Sequence, residues 1–109
     1  MNNSDKELSL EEIRKAQVVI ATEMANKDLT HDEQLNLEKS TQHLRNIERL
    51  LVDSIEKGLI DALKKETTSL ETLTEEINQT SKRLFKLAEI LRKVVKITGQ
   101  VIDVLQVVK

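Results

Sequence analysis

The chain has 109 residues, a formal net charge of −2, no cysteine and no proline, and 33% of its residues are charged. The absence of cysteine excludes disulfides, thiol chemistry and thiolate metal sites, and a charge so close to neutral argues against nucleic acid as a partner of the whole chain. With two glycines and one aromatic residue, the chain also lacks the turn residues and aromatic strands of β folds, so one all-α domain is predicted.

The N-terminal segment, residues 1–7, is polar and is predicted to be a disordered tail. It has no apolar core of the kind found in secretory signal peptides. No later run approaches the roughly 18 apolar residues that a membrane-spanning helix needs. A cytoplasmic protein is therefore expected.

A first helix is predicted over about 10–27. Ser9 and Glu12 have the spacing of a capping box, in which the serine oxygen accepts from the Glu12 amide and the glutamate reaches back to the Ser9 amide. Leu8 and Ile13 occupy the apolar positions that commonly flank such a cap. Further apolar residues continue the stripe at Ala16, Ile20 and Met24.

A second helix is predicted over about 31–66, and a capping box of Thr30 and Glu33 opens it. Its apolar face includes Leu37, Leu44, Ile47, Leu51, Ile55, Leu59 and Leu63. Gly58 lies on or near this face, where a glycine costs about 1 kcal/mol relative to alanine. Close helix approach and a mild kink would each account for it.

A tight turn is predicted at 66–69, where threonine and serine cluster and Thr68 with Glu71 repeats the capping-box spacing. One continuous helix is the alternative, since no glycine or proline forces a turn. The third helix then runs over about 69–108 with a coiled-coil-like heptad seam. The apolar seam residues are Leu70, Leu73, Ile77, Leu84, Leu87, Leu91, Val94, Val101, Leu105 and Val108.

The two long helices are expected to form an antiparallel hairpin, with the shorter first helix packed at the C-terminal end. The result is a three-helix bundle that continues as a two-helix arm. Leu50, Val52 and Ile60 lie off the main apolar stripe on that arm, so a homodimer through these residues is preferred. The alternative is a monomer with scattered surface aliphatics.

The sequence predicts no catalytic, cofactor-binding or metal-binding residue. His31 and His43 are twelve positions apart, which rotates them by about 120° around a helix, so they do not share a face. The acidic residues fall almost entirely at outer helix positions or in caps, and only Asp53, Glu56 and Asp61 lie near the apolar face. No glycine-rich phosphate loop is present. The chain is therefore not expected to be an enzyme.

A basic stripe is the one notable charge cluster, formed at outer heptad positions by Lys82, Lys86, Lys93 and Lys96. It could contact an acidic protein, anionic lipid or nucleic acid, of which nucleic acid is the least favoured because no helix-turn-helix spacing is present. The alternative is a solvated face that pairs with glutamates of the first two helices.

The function predicted from these features is protein–protein interaction, by a self-associating scaffold or accessory protein without enzymatic activity. The alternative is an amphipathic protein that associates with membranes through the apolar face of 84–108 and the basic residues of 82–96.

Overall fold

The computed structural model describes residues 3–52 and 58–107, and these residues confirm the all-α prediction. They form four helices with no strand among them: α1 (Asn3–Met24), α2 (His31–Val52), α3 (Leu59–Thr80) and α4 (Phe85–Val107). At 22 or 23 residues each, the helices are nearly equal in length. Each helix is therefore about 33 Å long, so the four can pack along their whole length in one bundle.

The helices are arranged as a closed square. Each packs on the helices before and after it in the chain, and α1 also packs on α4, while the described backbones of the diagonal pairs α1–α3 and α2–α4 do not come within 8 Å of each other. This is an antiparallel four-helix bundle with short connections and one shared core. Its overall dimensions are 48 × 20 × 19 Å.

The predicted hairpin of helices 31–66 and 69–108 is wrong, because the chain reverses in other places. α2 ends at Val52, and α3 begins after Gly58, whose backbone is left-handed with φ 81° and ψ 9°. Glycine adopts this conformation without the steric cost that a Cβ adds. Gly58 therefore caps a helix start and produces neither a kink nor a close helix approach. Asp53, Ile55 and Glu56 lie outside the described residues.

The predicted turn at 66–69 does not exist, since these residues lie within α3. The capping box of Thr68 and Glu71 is wrong for the same reason. The hydroxyl of Thr72 donates to the Thr68 carbonyl at 3.1 Å, so this threonine bonds back to the preceding turn without ending the helix. The alternative of a continuous helix holds across this segment.

A second break divides the predicted third helix at residues 81–84. Ser81 is extended, with φ −142° and ψ 107°, and its amide donates to the Ile77 carbonyl. Ile77 and Leu84 are both fully buried on either side of the break. Because the chain reverses here, the apolar residues of the last forty positions are divided between two helices. The predicted three-helix bundle and its two-helix arm are therefore wrong.

The first helix begins at Asn3 and ends at Met24, where 10–27 was predicted, so the predicted tail overlaps a helix from Asn3 onward. Residues 1 and 2 lie outside the described part of the chain. Ser9 does not cap α1: it lies inside the helix and is fully buried. The expected packing of the first helix on the C-terminal segment is present, as Ile13 and Ile20 are buried and α1 lies along α4.

The capping box of Thr30 and Glu33 is confirmed. The Glu33 amide donates to the Thr30 hydroxyl at 3.1 Å, and the Thr30 amide donates to the Glu33 carboxylate at 3.0 Å. The core between the helices is formed largely by leucine and isoleucine. Its fully enclosed members include Ile13, Leu37, Leu44, Ile47, Leu63, Leu70, Ile77, Leu84, Leu87 and Leu91.

Candidate interaction surface

The two histidines do not form a common site. His31 is exposed at the first residue of α2, and His43 is partly buried about 18 Å further along the same helix. Across residues 3–52 and 58–107, no group of three or more histidine, aspartate or glutamate side chains is placed to hold a metal ion.

A polar network that the sequence did not reveal joins α2 to α3. Oε1 of Glu66 lies 2.8 Å from Nδ1 of His43 and accepts a hydrogen bond from the side-chain amide of Asn46 at 3.2 Å. Burial raises the pKa of the Glu66 carboxyl, but the hydrogen bonds from His43 and Asn46 outweigh it and leave the pKa below its ordinary value. No local sequence signal predicts this contact, because His43 and Asn46 are 23 and 20 positions away from Glu66 and the sequence pattern places the turn between them at the wrong residues. The network therefore holds α2 and α3 in position relative to each other.

Two buried hydroxyls connect α1 to α4. Ser9 and Thr98 are fully buried, and their hydroxyl oxygens lie 2.8 Å apart. Thr67 contrasts with them: its hydroxyl is buried without a hydrogen-bond partner among the described residues. These polar atoms lie within the bundle, so their effect is on stability and helix register.

The predicted basic stripe is exposed, with Lys82 in the α3–α4 turn and Lys86, Lys93 and Lys96 on α4. Arg92, on the side of α4 toward α3, lies 3.7 Å from Glu75. Lys96 lines a shallow groove there with Glu71 and Glu75. The acidic residues beside Lys96 therefore come from α3, and not from the first two helices as the solvated-face alternative expected. The exposed Glu89 of α4 lies between Lys86 and Lys93 in sequence.

Lys82, Lys86 and Lys93 form no salt bridge with any described residue. Phe85, the one aromatic residue of the chain, follows Lys82 at the start of α4 and is 51% exposed. The first turn of α4 contains no acidic residue to offset the positive end of the helix dipole. We call Lys82, Phe85, Lys86 and Lys93 the cationic surface.

The residues predicted for a dimer contact differ in how far they are exposed. Leu50 is part of the core and is 5% exposed, and Ile60 is partly buried, whereas Val52 is 62% exposed. Since the bundle encloses Leu50, these three side chains do not form one exposed apolar patch. The two-helix arm from which the dimer was inferred is replaced by a four-helix bundle.

Another exposed face lies on the outside of α1. Leu8 is 48% exposed and Val18 is 66% exposed, with the exposed Glu11 and Lys15 between them. Arg14, Val19 and Ile90 complete a shallow depression around Glu11, Lys15 and Val18. The sequence pattern did not reveal this face, because Leu8 was placed in a helix cap and the stripe of Ile13, Ile20 and Met24 defined the inner face.

The apolar side of the C-terminal segment faces the bundle core. Leu84, Leu87, Leu91 and Val94 are 1% exposed or less. No helix in the described ranges is long and apolar enough to cross a membrane.

Comparison of the chain with models of protein families, with curated proteins and with solved structures finds no match. The chemistry of the exposed surfaces is therefore what indicates the function.

Proposed function

We propose that this protein is a non-enzymatic interaction module whose cationic surface binds an acidic surface of another protein. One observation carries the proposal. Phe85 stands half exposed at the start of α4, next to lysines that have no acidic partner in the described structure.

An exposed phenylalanine between lysines has the composition found at the centre of protein–protein interfaces. Aromatic side chains dominate the energy of protein interfaces when they become buried, and the charges around them steer the encounter and select the partner. Lys82 and Lys86 flank Phe85 in sequence, and Lys93 extends the charge two turns along α4. A complementary surface would therefore combine an apolar pocket with several carboxylates.

Membrane association has less support. Its sequence-based form used the apolar face of 84–108, and the described residues of that face lie mostly in the core, so the bundle would have to open to expose them. Nucleic acid has less support still, because single-stranded binding relies on several stacking aromatics and this surface offers only Phe85.

The test is affinity capture from an extract of the native host, using the wild type and the triple variant K82E/K86E/K93E. We expect the wild type to retain a specific set of proteins that high salt releases, and the variant to lose that set, because each reversal turns an attraction into a repulsion. F85A should weaken capture without removing its salt dependence.

The matched control is K39E/R45E/K64E, which reverses the same number of charges at exposed positions on α2 and α3. It should capture the same proteins as the wild type. Equal losses in the two triple variants would contradict the proposal, because the effect would then follow net charge and not the cationic surface. If the wild type floats with phosphatidylserine vesicles and K82E/K86E/K93E does not, the cationic surface binds anionic lipid, and the proposed protein partner is wrong.

A further inference from the structure

The outer face of α1 has the spacing of a helix–helix seam. Leu8, Glu11, Lys15 and Val18 are separated by three, four and three positions, so they lie along one side of the helix. All four side chains are exposed, and the buried residues Ser9, Ile13 and Ala16 lie on the inner side. In this bundle, α1 therefore has one seam facing the core and a second that faces solvent.

The outer seam is self-complementary about its midpoint, which lies at the level of Ile13 along the axis of α1. Leu8 and Val18 are five positions before and after this residue, and Glu11 and Lys15 are two positions before and after it. If two α1 helices pack antiparallel about a twofold axis at Ile13, each Leu8 lies opposite Val18 of the second copy. Each Glu11 then lies opposite Lys15 of the second copy, so apolar side chains meet apolar ones and opposite charges meet.

The charges of the seam also determine the direction of the pairing. A parallel pairing would instead place Glu11 against Glu11 and Lys15 against Lys15. Like charges directly opposed are unfavourable, so the charge pattern selects the antiparallel arrangement.

We propose that the outer face of α1 binds α1 of a second copy of this chain, antiparallel and about a twofold axis near Ile13. The contact uses no residue of the cationic surface. It therefore does not depend on the proposed binding of an acidic partner, and a dimer would present two cationic surfaces to such a partner.

The seam predicts a weak, salt-sensitive dimer. Only two exposed apolar side chains per copy contribute, well below the burial typical of permanent dimers. Lys15 already lies 3.7 Å from Glu11 and 3.6 Å from Glu12 within its own helix, so dimerisation partly exchanges existing ion pairs for new ones. Both kinds of pair are near the surface, where salt screens them.

Charge reversal tests the pairing by sedimentation equilibrium over a concentration series. In E11K a lysine lies opposite a lysine at both contact sites, and in K15E a glutamate lies opposite a glutamate. Each variant should therefore raise the dissociation constant of the dimer by about tenfold or more. The double variant E11K/K15E restores opposite charges and should dimerise like the wild type. An equimolar mixture of E11K with K15E should form a heterodimer, since every opposed pair is then complementary.

Disulfide trapping tests the register, and the chain contributes no cysteine of its own. A disulfide needs Cα atoms within about 7 Å. Mixing L8C with V18C should therefore give a cross-linked heterodimer under mild oxidation. L8C alone should cross-link far more slowly, because in this register its two copies are about 15 Å apart along the helix axis. V52C, exposed on α2, is the control and should not cross-link to L8C.

A single 12.5 kDa species at every concentration, together with no preference of L8C for V18C, would overturn the proposal. A wild-type dimer that survives E11K and K15E unchanged would also overturn it, by placing the interface elsewhere. Circular dichroism of each variant confirms that the bundle is intact, as expected for substitutions at exposed positions.

Discussion

Glu33 accepts a hydrogen bond from the hydroxyl of Ser81, 48 positions further along the chain, at 2.5 Å. Its other carboxylate oxygen completes the capping box with Thr30 at the start of α2. Ser81 is the C-cap residue that directly follows α3. One side chain thus joins the α1–α2 connection to the α3–α4 connection, and Arg83 reinforces the junction by donating to the Asp28 carbonyl at 3.0 Å.

The first prediction is that Glu33→Gln lowers the free energy of unfolding by about 1 kcal/mol near neutral pH, the usual value of a helix cap. The hydrogen bond from Ser81, followed by those from Thr30, holds the pKa of Glu33 below its ordinary value of 4.5. The charged form therefore stabilises the folded state above that pH. This contribution is lost as the pH falls through the lower pKa of the folded protein.

Urea unfolding near neutrality and well below pH 4.5 measures the effect. The difference between wild type and Glu33→Gln should shrink on acidification. Glu38→Gln, at an exposed position of the same helix, should show no such difference. A difference for Glu33→Gln that is independent of pH would contradict the role of its charge.

The part of the fold that could be predicted is the part that local chemistry determines. The Thr30–Glu33 box needs only a spacing of three and forms as expected. The apolar seam of the C-terminal segment is also buried as predicted, except that Leu105 is only partly buried and Val108 lies outside the described residues. Ile77 and Leu84 show why it did not predict the chain reversal: they are seven positions apart, so the heptad spacing continues across a turn that has neither glycine nor proline.

Other features depend on contacts that sequence spacing does not encode. Ser9 resembles a cap, but burial against Thr98 satisfies its hydroxyl inside a helix. The exposed face of α1 depends on the extension of the helix back to Asn3, which makes Leu8 a helical surface residue and which the sequence pattern does not indicate. The cationic surface was predicted in part, because outer heptad positions remain outer positions wherever the helix begins.

The second prediction concerns the two glycines, which should respond in opposite directions to alanine. Gly58→Ala should destabilise the bundle by about 1 kcal/mol or more, because its φ of 81° is unfavourable for any residue with a Cβ. Gly99→Ala should stabilise it by up to about 1 kcal/mol, because Gly99 lies within α4 and an added Cβ would meet no atom within 4 Å. Thermal and urea unfolding of both variants measure the two effects. A change of the same sign in both would contradict the assignment of a left-handed backbone to Gly58 and a helical one to Gly99.

The third prediction is that Asn46→Ala raises the pKa of Glu66. Asn46 donates to the Glu66 carboxylate at 3.2 Å, and this hydrogen bond favours the charged form. NMR titration of the Glu66 side-chain carboxyl carbon reports its pKa directly. Asn78→Ala, on α3 but outside this network, should leave it unchanged. An unshifted pKa of Glu66 in Asn46→Ala would contradict this role of Asn46 and would leave His43 and Lys65 to oppose the effect of burial.

The fourth prediction separates a satisfied buried hydroxyl from an unsatisfied one. Thr67→Val should be neutral or stabilising by about 1 kcal/mol, because the valine has the same shape and removes a buried hydroxyl that has no described partner. Thr98→Val should be destabilising by about 1–3 kcal/mol, because it leaves the fully buried Ser9 hydroxyl unpaired.

Ser9→Ala completes a double-mutant cycle with Thr98→Val. The double variant should be more stable than the sum of the two single losses predicts, because it removes both hydroxyls and leaves neither unpaired. Urea unfolding of the four proteins gives the coupling energy. Additive losses would mean that the 2.8 Å contact between Ser9 and Thr98 contributes nothing to stability, and the α1–α4 packing would then depend on its apolar side chains alone.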